Sequence, residues 1–341
     1  MKKVVTFGEI MLKFSAKGYQ RLLHQAKEMN VEYAGAEANV AVSLANFGVP
    51  VAYVSRLPEN DFGHAACMTL RAFGVNTDSI AWGGNRMGIY FAEKGASQRP
   101  SKVIYDRTHS AISEATTADF DWEYIFKDAQ WFHFTGITPA LSPNVADICL
   151  QACQQAKKMG LTVSCDLNYR SKLWTKEEAR KTMSRLAEYV DVCIANESDI
   201  SDVFGIAAKD SDVEKGQLQQ ASYETVAEQL LQKFNFQKVA ITLRESISAN
   251  DNNWSAMLFD GNNAFHSRKY AVHIVDRIGS GDAFAAGLIY GLISGYDSQK
   301  AVDFAAAASC LKHSIEGDFN LVSKAEVESL MNNNFTGRIQ R

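Results

Sequence analysis

The feature that most constrains this chain is a repeated change of period. Short apolar runs suited to strands alternate with stretches of helical spacing. Lys3–Gly8, Val51–Leu57, Leu161–Leu167, Val190–Ala195 and Lys238–Leu243 read as strands. Glu37–Phe47, a helix capped by Asp61 and ending near Gly74, Val145–Met159, a helix from about Lys176, and two Ala-rich helices at Gly281–Ile293 and Ser298–Lys312 read as helices. Short apolar strands alternating with helices predict a mostly parallel sheet covered on both faces, a three-layer α/β/α sandwich.

Two stretches break the rhythm. Residues 12–34 hold Phe14, Tyr19 and Val31-Glu32-Tyr33, and residues 86–109 hold Gly88–Glu93 and Lys102–Arg107. Both alternate like hairpin strands with no helix between them. They predict one small β sheet hung from the α/β core as a lid, the chain 1–341 forming a single domain. Two ordinary edge hairpins are the plainer alternative. The polar segments 208–222 and 246–253 read as surface loops.

Bulk properties exclude more than they select. The 341 residues, with 46% hydrophobic and 22% charged, are ordinary for a globular chain, and a net charge of -4 gives nucleic acid or an anionic membrane no electrostatic handle. No apolar run approaches the roughly 18–20 residues of a membrane span. The opening Met1–Gly8 reads as a first strand rather than a secretion signal. The six cysteines sit in apolar segments without zinc-like spacing and read as reduced thiols, which points to the cytoplasm.

Two runs carry chemistry. In Asp276–Gly287, Gly279 and Gly281 flank Ser280 just before an apolar helix. Glycines there let backbone N–H groups converge, and the helix N-terminus adds positive potential, making a hole for phosphoryl oxygens. Asp282 at its mouth is placed to accept the proton of an attacking hydroxyl. Taken alone, the run reads equally well as a turn with Asp282 capping the helix. In Tyr33–Ala41, Gly35 and Ala36 permit close approach to a ligand, and Asn39 both donates and accepts hydrogen bonds. The commoner phosphate motifs, a P-loop and a Gly-x-Gly-x-x-Gly turn, are absent.

Together these runs, in this order and with the interrupting lid strands, resemble the ribokinase-like carbohydrate kinases, the pfkB family. The resemblance spans nearly the whole chain. It implies an ATP- and Mg²⁺-dependent sugar kinase, a β lid over the sugar, and often dimerisation through that lid. Gly8–Leu12, Gly35–Ala41, Tyr105-Asp106-Arg107, Leu311-Lys312-His313 and Gly317-Asp318-Phe319 are most similar to 2-keto-3-deoxygluconate kinases. That implies Gly35, Ala36, Asn39, Tyr90, Tyr105, Arg107, Arg170 and Asp318 around the substrate, and Asp282 as the base. Guanidinium groups bind carboxylates bidentately, which suits a sugar acid. Each arginine taken singly also reads as a surface ion pair, and the tyrosines as lid packing.

On the nucleotide side the resemblance implies Asn168, Asn196, Thr242, Arg244, Gly279, Gly281 and His313. Relatives usually carry Asn-x-x-Glu where this chain has Asn196–Asp199, so Asp199 or Glu197 is expected to organise Mg²⁺ through water, with helix capping by Asn196 equally compatible. Arg244 stands where relatives have glycine. Arg277 departs from the small residue usual there and puts in doubt a monovalent cation near Asp276. The rival readings are a kinase for fructose, ribose, a keto-deoxygalactonate or a deoxy-keto inositol derivative, and a non-catalytic sugar sensor that has lost the base.

Overall fold

Adjacent residues of the first strand serve opposite cores: Val4 packs with one hydrophobic cluster and Val5 with the other. A strand buried on both faces is what a parallel sheet between two helical layers requires. The structure, a computed structural model, describes residues 2–22, 24–207 and 220–332.

Its strands are β1 (Lys3–Phe7), β2 (Met11–Ala16), β3 (Met29–Ala34), β4 (Val51–Val54), β5 (Arg56–Leu57), β6 (Ala81–Trp82), β7 (Ile89–Glu93), β8 (Lys102–Asp106), β9 (Ala129–Thr135), β10 (Thr162–Asp166), β11 (Val192–Asn196), β12 (Lys238–Ser246), β13 (Asp251–Phe259), β14 (Ala264–His266) and β15 (Tyr270–His273). Its helices are α1 (Ala36–Asn46), α2 (Asp61–Ala72), α3 (Trp122–Ile125), α4 (Pro143–Lys158), α5 (Lys176–Ala187), α6 (Glu197–Phe204), α7 (Gln220–Lys233), α8 (Ser280–Ile293), α9 (Ser298–Lys312) and α10 (Lys324–Met331).

The main sheet has nine strands in the order β14-β13-β12-β11-β10-β9-β1-β4, with β15 also paired to β13. From β4 to β12 every pairing is parallel, and β13, β14 and β15 add an antiparallel edge. This is the mostly parallel α/β/α sheet that the periodicity predicts. A separate sheet, β3-β2-β7-β8, takes in both stretches that broke the rhythm.

Two mid-helix glycines set how closely α8 packs. Gly287 and Gly291 let it lie against α9: an added Cβ would come within 2.8 Å of the Ala305 Cα and 3.0 Å of the Ala301 Cα. The Ala-rich faces of both helices are therefore contact surfaces, and a bulkier residue there would push the pair apart at about 1–3 kcal/mol.

Some local readings change. Asn60, not Asp61, caps α2, accepting from the N–H groups of Phe62 and Gly63. The run Val51–Leu57 divides at Ser55, its last two residues pairing with β6 instead of β1. Residues 246–253 form the turn and first pairs of the β12–β13 hairpin. Of the polar segment 208–222, residues 208–219 lie outside the described residues, and 220–222 begin α7. Five cysteines are buried and Cys310 is half-buried, all with free thiols. No helix among the described residues is long and apolar enough to cross a membrane.

Candidate active site

The carboxyl ends of parallel strands leave the sheet on one edge, which is where open α/β sheets gather ligands. Here the exits of β1, β10 and β11, the Gly279–Asp282 turn and the inner face of the small sheet surround one cavity of about 960 Å³. Every residue singled out from sequence for substrate, nucleotide, base or metal lines it: Gly35, Ala36, Asn39, Tyr90, Tyr105, Arg107, Asn168, Arg170, Asn196, Glu197, Asp199, Thr242, Arg244, Gly279, Ser280, Gly281, Asp282, His313 and Asp318. Asp276 stays outside its wall, behind the turn.

The two glycines of that turn do different work. Gly279 has φ +82°, and an added Cβ would lie 2.0 Å from the Asp318 carbonyl oxygen. It is required for the backbone path. Gly281 has ordinary dihedrals and open space beside it, so its missing side chain leaves cavity rather than relieving a clash. The Ser280 carbonyl is held from behind by the Ser309 hydroxyl at 2.7 Å.

Asp282 sits in the first turn of α8, 8% exposed, and accepts a hydrogen bond from Asn39 Nδ2 at 2.7 Å. Burial pushes its carboxyl up to about 7; the Asn39 bond opposes the rise, while the Asp318 and Glu37 charges add to it. A carboxyl poised near neutral pH suits a general base. Gly35 allows Asn39 to reach it, since a Cβ at Gly35 would lie 2.0 Å from the Glu9 carbonyl oxygen. Glu37 anchors the start of α1 by accepting from the Thr135 N–H and from the hydroxyls of Thr135 and Thr138 at 2.6–2.9 Å.

Toward the small sheet the charges are closed into pairs. Asp318 accepts from Lys13 Nζ at 2.6 Å and from the Tyr90 hydroxyl, and Lys13 also reaches Glu32 at 2.9 Å. Burial opposes the Lys13 charge, but Asp318 and Glu32 outweigh it and raise its pKa. Arg107 pairs with Glu9 through two nitrogens, one at 2.8 Å, and its guanidinium lies 5.1 Å from the centre of the Tyr105 ring. The other Glu9 oxygen is buried and accepts nothing.

The opposite wall is acidic at one point and basic elsewhere. Asn196 caps α6 by accepting from the Asp199 N–H at 2.9 Å while donating to the Asp199 carboxylate at 2.8 Å. Burial pushes Asp199 up to about 7, against the pull of Arg170. Asp166 is raised well above the usual carboxylate range by burial and by the nearby charges of Asp199 and Asp282. Glu197 is engaged elsewhere, by the Tyr223 hydroxyl at 2.6 Å. Asn168 takes a left-handed conformation, φ +36°, with its N–H on Asp166 Oδ1 at 3.2 Å, which turns the chain so that Arg170 faces the cavity. Among the described residues Arg170 and Arg244 make no ion pair, and Arg277 donates to the Ala249 carbonyl at 2.8 Å. His313 packs edge-on to Trp254 at 5.2 Å; burial pushes its imidazole down to about 4, so it is neutral.

Sequence reasoning missed Glu9, Lys13, Glu37 and Asp166 as site residues. Glu9 and Asp166 carry a positional signal, standing at or just past the carboxyl ends of β1 and β10. Lys13 carries no such signal: alternation puts it with Ser15 on the polar side of β2, yet it is buried.

The chain resembles 2-dehydro-3-deoxygluconokinase of Thermotoga maritima, a solved structure, with 54% identity and a TM-score of 0.93, covering 97% of this chain and 100% of that one. It is 34% identical over 330 residues to 2-dehydro-3-deoxygalactonokinase of Haloferax volcanii, 96% of each chain. It is 29% identical over 319 residues to 2-dehydro-3-deoxygluconokinase of Bacillus subtilis, 93% of this chain and 91% of that one. The family profile for pfkB carbohydrate kinases matches residues 1–322, and the chain belongs to that family.

Proposed function

We propose that this protein transfers the γ-phosphoryl group of ATP to the primary hydroxyl of 2-keto-3-deoxygluconate, giving 2-keto-3-deoxy-6-phosphogluconate and ADP. The observation that carries this reading is the Asp282 carboxyl, poised near neutral pH beside Asn39 at the mouth of the Gly279–Gly281 turn.

Asp282 removes the hydroxyl proton as that oxygen attacks the γ-phosphorus and the bond to the β-phosphate oxygen breaks. The N–H groups of the turn receive the charge on the transferring oxygens, at the positive end of α8. The small sheet acts as a lid that excludes water and presents Tyr90, Tyr105 and Arg107 to the sugar acid. Arg107 is the carboxylate partner on the lid side, with Glu9 fixing its orientation. Arg170 bridges toward the phosphates. Thr242, Arg244 and His313 border the nucleotide.

Mg²⁺ fits the acidic point. Among the described residues no cluster of ligating side chains is built to hold a metal directly. Asp199 and Asp166 are buried carboxyls with raised affinity for protons, a donor pair that a hydrated cation would hold ionised. Bound with ATP, Mg²⁺ supplies neutralisation of phosphate charge.

A 2-keto-3-deoxygalactonate substrate is the second reading, favoured by the relative from Haloferax volcanii. A panel of both sugar acids with fructose and ribose, read by coupled ADP release, tests the proposal. Turnover on the gluconate well above the rest is the expected result. Preference for a neutral sugar, or no ADP release on any of them, would overturn it.

A further inference from the structure

Lys312 ends α9 as a fully buried lysine, 0% exposed. Its ammonium does not reach solvent. It lies between two backbone carbonyls, Asp276 O at 3.4 Å and Ile315 O at 3.2 Å. Those carbonyls belong to the two loops that build the site. The Asp276 carboxylate accepts from the Ile278 N–H at 3.2 Å and the Gly317 N–H at 3.3 Å, so it too ties the anion-hole turn to the Asp318 loop. Gly279 and the Asp318 carbonyl touch across the same seam. A positive charge at this place draws converging carbonyl dipoles together and stiffens the turn whose N–H groups face the phosphates.

This is the neighbourhood where family resemblance implies a dissolved monovalent cation. The residues present do not fit one, because a tethered cation already stands there. Burial lowers the Lys312 pKa, while the Asp276, Asp318 and Asp282 charges favour its protonated form and Lys13 opposes it. A desolvated lysine is costly, and an apolar residue of similar volume would fill the space at least as well. Packing alone therefore gives no reason for an ammonium here.

We infer that Lys312 is a positioning residue that serves as a built-in monovalent cation beneath the anion hole, so that phosphoryl transfer by this chain requires no dissolved potassium or sodium. The inference rests on the kinase reading above.

The test has two arms. Wild-type enzyme is assayed with MgATP and sugar acid in tetramethylammonium buffer, then with potassium or sodium added; turnover should change less than about twofold. A many-fold activation by potassium would overturn the inference. Lys312→Met and Lys312→Ala should lose kcat by about tenfold or more with the sugar KM nearly unchanged. Potassium, ammonium or methylammonium should partly restore Lys312→Ala, and tetramethylammonium should not. Lower thermal stability with kcat intact would make Lys312 merely structural and sink the proposal. The wild-type arm decides even if the variants fail to fold. Absence of transfer by wild type in every salt would instead overturn the kinase reading itself, taking this inference with it.

Discussion

The two halves of the cavity solve opposite electrostatic problems. On the side of the small sheet Lys13, Asp318, Tyr90 and Glu32 pair with one another, and Arg107 pairs with one oxygen of Glu9 while the other accepts nothing. On the side proposed to take the nucleotide, Arg170 and Arg244 have no carboxylate within ion-pair distance among the described residues, and Arg244 faces the like charge of Arg277. Closed buried pairs are poor sources of stability but fix geometry, because each group is costly to leave alone. Unpaired arginines at a cavity rim do the reverse, storing attraction for a polyanion. On the proposed reading, the sugar half is therefore built for shape and orientation, the nucleotide half for capture.

Asp282 stands between the halves, and removing it should have the largest effect. Asp282→Asn keeps the bond to Asn39 feasible but cannot take a proton; kcat should fall by about 10²–10⁴ in an ADP-release assay, with both KM values little changed. In wild type kcat/KM should rise with pH through about 7 and level off above it, because the proposed base acts ionised. The stability effect has the opposite slope. The folded-state pKa of about 7 lies above the roughly 3.9 of an unfolded aspartate, so the native state binds the extra proton between them and loses stability as pH rises through that window. Melting curves should accordingly favour Asp282→Asn over wild type more at pH about 8 than at pH about 4.

The next test breaks the closed half. Arg107→Ala leaves the Glu9 carboxylate buried at 2% exposure and unpaired, which should cost about 3–5 kcal/mol of stability in denaturant titration. Adding Glu9→Gln should return much of that loss without restoring the sugar-acid KM. Recovery of both would mean that Arg107 only neutralises Glu9.

The glycine pair gives a third, smaller contrast. Gly281→Ala has room for its methyl, so the protein should melt near wild type while kcat falls by about tenfold. Gly279→Ala meets both a positive φ and the Asp318 carbonyl, and should lose stability first.

How much of this was readable from sequence divides along physical lines. The parallel strands and Ala-rich helices were legible because burial on both sides of a sheet leaves continuous apolar runs. The central strand β9 was not picked out: its run Ala-Gln-Trp-Phe-His-Phe-Thr carries a histidine that only tertiary contact explains, buried at 0% and bonded to the Ser164 hydroxyl. The cavity lining was legible, because glycines and short polar residues beside helix starts announce close approach. The closed pairs were not, since Lys13 and Asp318 are 305 residues apart and periodicity says nothing about partners. Asn196 shows a further limit: its cap on α6 and its place beside Asp199 are one arrangement, so the two readings that sequence left open do not compete.

The smallest expected effect probes the open half. Arg244 is exposed and makes no ion pair among the described residues. Truncating it to alanine removes no packed contact and relieves its repulsion with Arg277, so stability should stay level or rise slightly. Its attraction for nucleotide phosphates acts across solvent and is worth about 1 kcal/mol at most. Arg244→Ala should therefore raise the ATP KM only a few-fold, leave kcat and the sugar KM in place, and do so only at low ionic strength. With salt near 1 M the Debye length shrinks to about 3 Å, and the difference from wild type should vanish. Arg107→Ala should keep its sugar-acid defect at that same salt, because its partner is buried. If salt erased both defects alike, the lid-side pair would be as open as the nucleotide side and the division between the halves would fail; if it erased neither, Arg244 would be gripping its ligand out of solvent, and the nucleotide half would be as preorganised as the sugar half.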